Sequence, residues 1–305
     1  MGAAFPQREM RNVHGQILAE ARQSASTRVP LFRAVSKHLS GRTLISFCTS
    51  FSHPVDIDDS DVDMLQSVLH SCDLSKGLAL LISSPGGDGL SAERIINICR
   101  SHSGTGDYWA IVPGKAKSAA TVICMGAAKI FMAPSSELGP VDPQIFRRED
   151  GRVKSFSAHA LVTGYDRLFA EAVKTKGKLE PYMQQLQYYD DRDINSYRTI
   201  INLSENIAIR ALKTGMMSAL SEDDIKKQIQ VFLNPLAGTL THGRPIYENE
   251  AHQCGLEVEH MDVKSSIWRD IHELYARLDR FVSMEACKAV ESIAEQFHVK
   301  APEYD

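Results

Sequence analysis

The chain has 305 residues, of which 43% are hydrophobic and 24% are charged, and its formal net charge is −4. This length allows one large or two modest domains with a substantial core. The mixed charge argues against nucleic-acid binding through a basic face, and no apolar stretch reaches the roughly 20 residues that span a bilayer. Residues 1–23 also lack the apolar core of a signal peptide, so we expect a soluble cytoplasmic protein.

The six cysteines are scattered along the chain without a CxxC pair or the spacing of a metal site. Several lie in apolar runs, where a free thiol behaves as a small hydrophobe. We therefore expect reduced core cysteines, and we expect neither a metal nor a cofactor. The acidic cluster at 190–193 is better explained as a solvated helix face, because no suitable partner ligands converge with it in the sequence.

Taken in chain order, the sequence begins with an amphipathic helical arm over residues 1–41, with an interruption near Val29 and Pro30. Strand and helix patterns then alternate up to residue 134. The continuous apolar run at 77–83 is typical of a strand buried on both faces. The other predicted strands are 42–51, 107–114 and 129–134, and the predicted helices are 56–72, 90–102 and 118–130. This β-α-β alternation predicts an α/β fold with a mainly parallel sheet covered by helices.

After Pro143 the pattern changes to a charged stretch that we expect to be exposed, followed by helical patterns over about 160–232. A short helix ended by Gly255 and a closing strand come next. An apolar stripe over 264–297 predicts one or two terminal helices. The predicted organisation has three parts: an N-terminal helical arm (1–41), a domain (42–262) with a helical insertion at about 160–232, and C-terminal helices (263–305).

Two glycine-bearing turns follow successive predicted strands. The first is SSPGGDG, in which Gly86 and Gly87 allow a sharp turn or a close approach to another group. The second is PGKAKSAAT, in which Ser118 opens an apolar helix. A serine at a helix start is often only a cap, but the carboxyl ends of parallel strands are also where α/β sheets bind ligands. A serine nucleophile there, with two backbone N–H groups nearby, would have an oxyanion hole for a tetrahedral intermediate.

The long motifs at 83–100 and 114–145 resemble those of the serine dehydrogenase proteinase family. This family belongs to the Clp protease/crotonase superfamily and is related to signal peptide peptidase A. The resemblance covers about 42–146 and returns at 241–258. It implies a Clp/crotonase-like β-α-β superhelix and an ATP-independent serine endopeptidase that cleaves peptides or unfolded protein segments.

The resemblance also implies roles for individual residues. Ser118 matches the nucleophile of the family, which would form an acyl-enzyme with the substrate. The oxyanion hole is assigned to the backbone N–H groups of Gly86, Gly87 and Ala119. Because relatives of this superfamily form rings or trimer-based assemblies, a homo-oligomer is expected as well.

The general base is the least defined part of the predicted site. The family is described with serine, aspartate and histidine in that chain order, which points to Asp142 and His242. Judged from their own neighbours, Asp142 could equally be a turn carboxylate and His242 an exposed turn histidine. His159, with apolar neighbours, is a further candidate but fits a structural histidine better. A serine-lysine dyad is the remaining alternative, with three lysines at a suitable distance along the chain: Lys174, Lys176 and Lys178.

Two other functions stay open at this level. The long helical region and the N-terminal arm would also suit a non-catalytic scaffold or regulatory subunit on the same fold. Acyl-CoA chemistry of the crotonase kind is the third reading, but a serine at the helix start favours a covalent mechanism. No acidic residue is evidently placed as a crotonase base.

Overall fold

The computed structural model describes residues 15–17, 24–149, 151–234 and 243–301 of the chain. Its first half contains α1 (Ala25–Ser36), β1 (Thr43–Thr49), α2 (Asp59–His70), β2 (Leu78–Ser83), α3 (Gly89–His102), β3 (Tyr108–Val112), β4 (Lys115–Ala116), α4 (Ala119–Met125), β5 (Lys129–Met132) and β6 (Glu137–Leu138). Its second half contains β7 (Gln144–Glu149), β8 (Arg152–Ser157), α5 (Ala158–Lys174), α6 (Glu180–Leu186), α7 (Asp191–Lys213), α8 (Glu222–Gln228), α9 (Gln230–Leu233), α10 (Glu248–Gln253), β9 (Val258–His260), α11 (Ser266–Met284), β10 (Ala286–Glu291) and β11 (Gln296–Lys300).

Seven strands form one sheet in the order β11-β10-β1-β2-β3-β5-β9. The five strands from β1 to β9 in this order run parallel, whereas β10 is antiparallel to both β1 and β11. The prediction of an α/β fold with a mainly parallel sheet is therefore confirmed. Parallel order also brings the carboxyl ends of β2 and β3 to the same edge, where the two glycine-bearing turns begin.

Helices cover both faces of the sheet, and successive side chains along a central strand point alternately into the two cores. Leu80 of β2 packs in the core formed with α2, α3 and α4. Its neighbour Leu81 points to the opposite face, into the core formed with α1 and α11. A strand buried on both faces must be apolar at every position, which is why the run at 77–83 carries no alternation.

A separate layer projects from this sheet body, and we name it the hairpin–helix unit (residues 144–213). Strands β7 and β8 pair as an antiparallel hairpin, and α5, α6 and α7 pack beside it. The unit has a small core of its own, built around Ile194, Tyr197 and Ile201. The last turns of α7 connect the unit to the sheet body, because they bury Ile207 and Leu212 in the main core. Helices thus dominate over 160–232 as predicted, and the charged stretch before them forms the hairpin.

The C-terminal prediction is wrong in part. Helix α11 is present, but residues 286–291 and 296–300 form strands where the pattern predicts helix. The cause is charge: β10 buries Lys288 and Glu291 at strand positions, which hides the apolar run of a buried strand. Both charges are paired with distant residues, Glu291 with Arg28 and Lys288 with Asp61. Such pairing satisfies a buried charge but leaves no local signal in the sequence.

The N-terminal arm differs from its prediction as well. Helix α1 runs through Pro30 without the expected interruption. Proline removes one backbone hydrogen bond there, while the helix gains the burial of Phe32 and Val35 against the sheet. Residues 1–14 and 18–23 of the predicted arm lie outside the described residues. Across the described part of the chain, no helix combines the length and the hydropathy needed to cross a membrane.

Candidate active site

Ser118 has an unusual backbone conformation. Its φ and ψ are 50° and −117°, a region in which a residue with a side chain is strained. Ser118 precedes α4 at the cap position, yet its side chain makes no capping hydrogen bond. The ordinary role of a serine at a helix start is therefore not used here. The side chain is half-buried rather than sealed in the core.

The turn after β2 lies directly against Ser118. Gly86 has φ of 108°, and a Cβ atom built on it would stand 2.8 Å from the Cβ of Ser118 and 2.7 Å from the carbonyl oxygen of Lys117. No side chain fits at that distance. The first glycine of SSPGGDG is thus required both by its backbone conformation and by contact with the serine turn.

Ser84 locks these two turns together. Its backbone N–H donates to the Lys115 carbonyl, and its carbonyl accepts from the Lys117 N–H, each at 3.0 Å. Its buried Oγ accepts from the Thr49 hydroxyl at 2.7 Å and from the Gly86 N–H at 3.1 Å. The Gly86 N–H, one of the three predicted oxyanion donors, is therefore already engaged.

The other two predicted donors differ from Gly86. The N–H groups of Gly87 and Ala119 donate to no protein atom in the part of the chain that the structure describes. Both residues line the same pocket as Ser118, a cavity of about 620 Å³ between the sheet body and the hairpin–helix unit. A serine hydroxyl and two unengaged amides thus share one cavity.

The wall of this pocket is mostly apolar. Val122 and Val141 come from the sheet body, and Ile207 comes from the buried end of α7. Four larger side chains at the rim remain at least one-third exposed: Leu90, Phe146, Ile200 and Leu203. Sequence reasoning missed this wall, although the apolar stripe on the helix at 191–213 was a usable signal.

Asp142 lines the pocket and is almost fully buried, at 1% exposure. Its Oδ2 accepts a hydrogen bond from the Gln144 side-chain amide at 2.8 Å, and its Oδ1 accepts from the Ser157 hydroxyl at 3.0 Å. Ser157 also caps α5. A turn carboxylate in solvent would need no such support, so this environment points to a fixed orientation for Asp142.

None of the candidate bases among the described residues lines the pocket. His242 lies outside the described residues. Lys174 and the lysines at 176 and 178 stand exposed at the end of α5 and the loop after it, and no lysine or histidine lines the pocket within the described ranges. Lys117 is next to Ser118 in sequence, but its Nζ binds Glu137 Oε2 at 2.9 Å. His159 does not line the pocket either.

A strained serine beside a double-glycine turn, at the carboxyl ends of parallel strands, defines a candidate nucleophile site in an α/β fold. Residues 41–157 match the family model described as ClpP-like SDH-type serine proteinase, which confirms the predicted resemblance. The matched range includes both glycine-bearing turns, Ser118 and Asp142.

Two curated relatives, both from Methanocaldococcus jannaschii, are similar over a larger part of the chain. The uncharacterized protein MJ0137 is 28% identical over 205 residues, which is 67% of this chain and 60% of that protein. The uncharacterized protein MJ1495 is 25% identical over 198 residues, which is 64% of this chain and 54% of that protein. The chain therefore spans only a little over half the length of either relative.

Two solved structures of the 1510-N membrane-bound stomatin-specific protease are also similar. A serine-to-alanine mutant covers 72% of this chain and 98% of its own, at 15% identity and a TM-score of 0.30. A lysine-to-alanine mutant in complex with a substrate peptide covers 77% and 98%, at 14% identity and a TM-score of 0.29.

Proposed function

We propose that this protein is a serine peptidase that cleaves peptide bonds without ATP, through an acyl-enzyme on Ser118. The observation that carries the proposal is the strained, uncapped Ser118 sharing a cavity with two unengaged backbone amides. Strained backbone at a site of this kind is kept only where the surrounding structure enforces it. The match of residues 41–157 to a serine proteinase family supports the same reading.

In the proposed mechanism, the Ser118 Oγ attacks the scissile carbonyl carbon while a base accepts the hydroxyl proton. The carbonyl oxygen becomes an oxyanion and takes hydrogen bonds from the N–H groups of Gly87 and Ala119. The proton then passes to the leaving amine, the C–N bond breaks, and water releases the acyl group by the reverse route. Gly86 shapes the turn and is not assigned as a donor, because its N–H is bound to Ser84.

We assign His242 as the base and Asp142 as its orienting carboxylate. The course of the chain supports this assignment. Ile246 pairs with Leu138 through two backbone hydrogen bonds of 2.9 and 3.0 Å, and Leu138 pairs in turn with Ala116, two residues before Ser118. The described residues just after His242 therefore run alongside the segments that carry Ser118 and Asp142. The lysine alternative gains no support, because Lys174 and its neighbours are exposed and do not line the pocket.

The pocket favours substrates with a bulky apolar side chain near the scissile bond. Its rim is formed by exposed apolar residues, which would lose water contact when such a side chain enters. Extended peptides and unfolded segments expose these side chains, whereas folded proteins bury them. Peptides or unfolded protein chains are therefore the proposed substrates.

A fluorophosphonate probe read out by intact mass tests the proposal, because it modifies a serine only where a base and an oxyanion hole activate it. We expect one adduct on the folded wild-type chain and none on Ser118→Ala. Ser204→Ala is the matched control, since Ser204 lines the same pocket and its loss should leave labelling unchanged. A folded wild-type chain that stays unlabelled, or labelling that survives in Ser118→Ala, contradicts the proposal.

A scaffold function is the second candidate, and one observation favours it. The hairpin–helix unit exposes several large apolar side chains away from the pocket: Val153, Phe169, Val173, Met183 and Tyr188. Exposed apolar surface of this kind often marks a contact with another protein chain, and a homo-oligomer would use it. Light scattering after size-exclusion chromatography measures assembly. If biochemical function persists fully in Ser118→Ala, the scaffold function replaces the peptidase.

A further inference from the structure

The segment before α2 holds the turn that carries Gly87. The Ile57 N–H donates to the Gly86 carbonyl, and the Asp88 N–H donates to the Ile57 carbonyl, both at 2.8 Å. A Cβ atom built on Gly87 would stand only 2.2 Å from the Ile57 nitrogen. The backbone of Ile57 therefore lies against the Gly87 residue on one side, while Gly87 lines the pocket.

Both ends of this segment are tied to β10. At its start, the Ser50 N–H donates to the Cys287 carbonyl at 2.9 Å. At its end, the Asp58 carboxylate forms an ion pair of 2.8 Å with the Nζ of Lys288. Ile57 therefore directly precedes Asp58, which is held by Lys288 of β10, 230 residues further along the chain.

Lys288 is itself held tightly. Its side chain is only 6% exposed, and its Nζ lies 2.8 Å from the Oδ2 of fully buried Asp61 as well as from Asp58. The same Oδ2 accepts the Asp58 backbone N–H at 2.8 Å. Burial alone would lower the pKa of Lys288, but the hydrogen bonds that it donates to the two carboxylates outweigh burial and raise that pKa. The lysine therefore stays charged. It binds the Asp58 side chain directly, and it reaches the Asp58 backbone N–H through the Asp61 carboxylate.

Asp61 makes the network sensitive to loss of the lysine. Its Oδ1 is buried without a hydrogen-bond partner among the described residues. Without Lys288, a buried carboxylate beside the Asp58 N–H would have no cation, which is strongly unfavourable. The N-terminus of α2 would have to shift toward water, and Ile57 would move with it.

We propose that Lys288 is a positioning residue for the peptidase site, acting through Asp58 and Ile57 to fix the orientation of the Gly87 N–H. Lys288 lies outside the pocket and touches no substrate in this scheme. The inference rests on the proposed function only for its catalytic consequence. The contacts from Lys288 to Gly87 stand independently of it.

The test compares Lys288→Met with wild type in the full chain, using a peptide substrate with an apolar residue at the cleavage site. We expect kcat to fall about 10- to 100-fold, as for a misplaced oxyanion donor, while KM changes less than about twofold. Lys288→Arg keeps the charge and should retain most of the activity. Lys129→Met is the matched control, because Lys129 pairs with Glu259 on the surface of the same sheet.

Glycine-selective isotope labelling supplies a readout that needs no catalysis. In Lys288→Met the amide signal of Gly87 should shift, whereas those of Gly106 and Gly151, which contact nothing within 4 Å at their Cβ position, should stay. Asp58→Asn, which keeps the pair between Lys288 and Asp61, should show a smaller shift in the same direction. This milder variant covers the case in which Lys288→Met does not fold.

The outcomes are distinct. An unmoved Gly87 signal in a folded variant overturns the inference. So does a kcat loss that disappears once activity is divided by the number of sites titrated with the phosphonate. If the wild-type chain hydrolyses nothing and binds no phosphonate, yet the Gly87 signal moves in Lys288→Met, then the peptidase proposal fails and the positioning role stands.

Discussion

The sheet body and the hairpin–helix unit are buried to very different extents. Strands β1 and β2 of the body are buried at almost every position, and helices cover both of their faces. The unit has only a small core around Ile194, Tyr197 and Ile201, and much of its apolar surface is exposed. A strained backbone is kept only where the surrounding structure enforces it, and the strained residue of the site, Ser118, lies in the well-buried sheet body.

The sheet body and the unit accordingly contribute different parts of the site. Ser118 and both unengaged amides belong to the body, as does Asp142 at its border. The unit contributes Ile200 and Leu203 to the pocket wall, and it supports Asp142 through Gln144 and Ser157. We therefore expect changes in the body to abolish the chemistry and changes in the unit to alter the choice of substrate.

The largest effect is expected where the body is tightest. Gly86→Ala would place a Cβ atom 2.8 Å from the Cβ of Ser118, in a backbone conformation that disfavours side chains. We expect at least about 2 kcal/mol of lost stability and loss of phosphonate labelling, measured by chemical denaturation and intact mass.

Gly106→Ala is the control that separates the cost of a positive φ from the effect of contact with Ser118. Gly106 also has positive φ, at 71°, but nothing lies within 4 Å of its Cβ position. We expect a cost of about 1 kcal/mol and normal labelling. Equal losses of labelling in the two variants would show that the contact with Ser118 has no role in the site.

An intermediate effect is expected from the unit. Leu203→Asp puts a charge into the apolar rim of the pocket, and Leu203 is 39% exposed, so the fold should tolerate it within about 0.5 kcal/mol. We expect kcat/KM for peptides with an apolar side chain to fall about 10-fold or more, with phosphonate labelling retained. Met183→Asp, on the same unit but away from the pocket, should leave the kinetics unchanged.

The smallest effect is expected on stability in acid, and it can be tested on two carboxylates whose pKa values are similarly lowered, Asp58 and Asp190. Partial burial raises the pKa of Asp58, but hydrogen bonds from Lys288 and Ser60 outweigh it and lower that pKa to about 2. Hydrogen bonds from Arg192 lower the pKa of Asp190, in the unit, to about 2 as well, but this pair lies on the exposed surface.

A depressed folded-state pKa means that the unfolded chain binds more protons in acid. The stability contributed by Asp58 is therefore complete above about pH 4–5 and is lost as pH falls through about 2. Discounted for solvent screening, it amounts to about 1 kcal/mol. Asp58→Asn should flatten the acid limb of a stability-against-pH curve by that amount, and Asp190→Asn should not change it. The opposite ranking would place the acid-sensitive contact in the unit.

Local signals explain how much of the fold could be predicted. The helix cap at Asp58 and the reciprocal hydrogen bond that the Asp58 N–H donates to the Asp61 side chain are short-range features that a sequence displays directly. The same is true of the apolar run of β2 and of the double glycine. The misread strand β10 shows the limit, because its Lys288 and Glu291 look like surface residues until their distant partners are known.

The site residues likewise fall into those that a local motif reveals and those whose role depends on distant contacts. The motifs were sufficient to select Ser118, the double-glycine turn and Asp142 as candidates, since each is embedded in a contiguous pattern. They could not separate Gly86 from Gly87 as a donor, because that depends on the hydroxyl of Ser84 at the end of β2. Nor could they reveal that Gln144 and Ser157 hold Asp142, or that α7 walls the pocket.

By itself, the amino-acid sequence determined the alternation of strands and helices, the position of the two turns and the residue types available for chemistry. Those features depend on periodicity, glycine conformation and capping, all of which act over a few residues. Only the tertiary structure decided which amides stay unengaged, which side chains share the cavity with Ser118, and which strand anchors the turn of Gly87. These depend on contacts between segments as much as 230 residues apart, and such contacts arise only when the whole sheet has assembled.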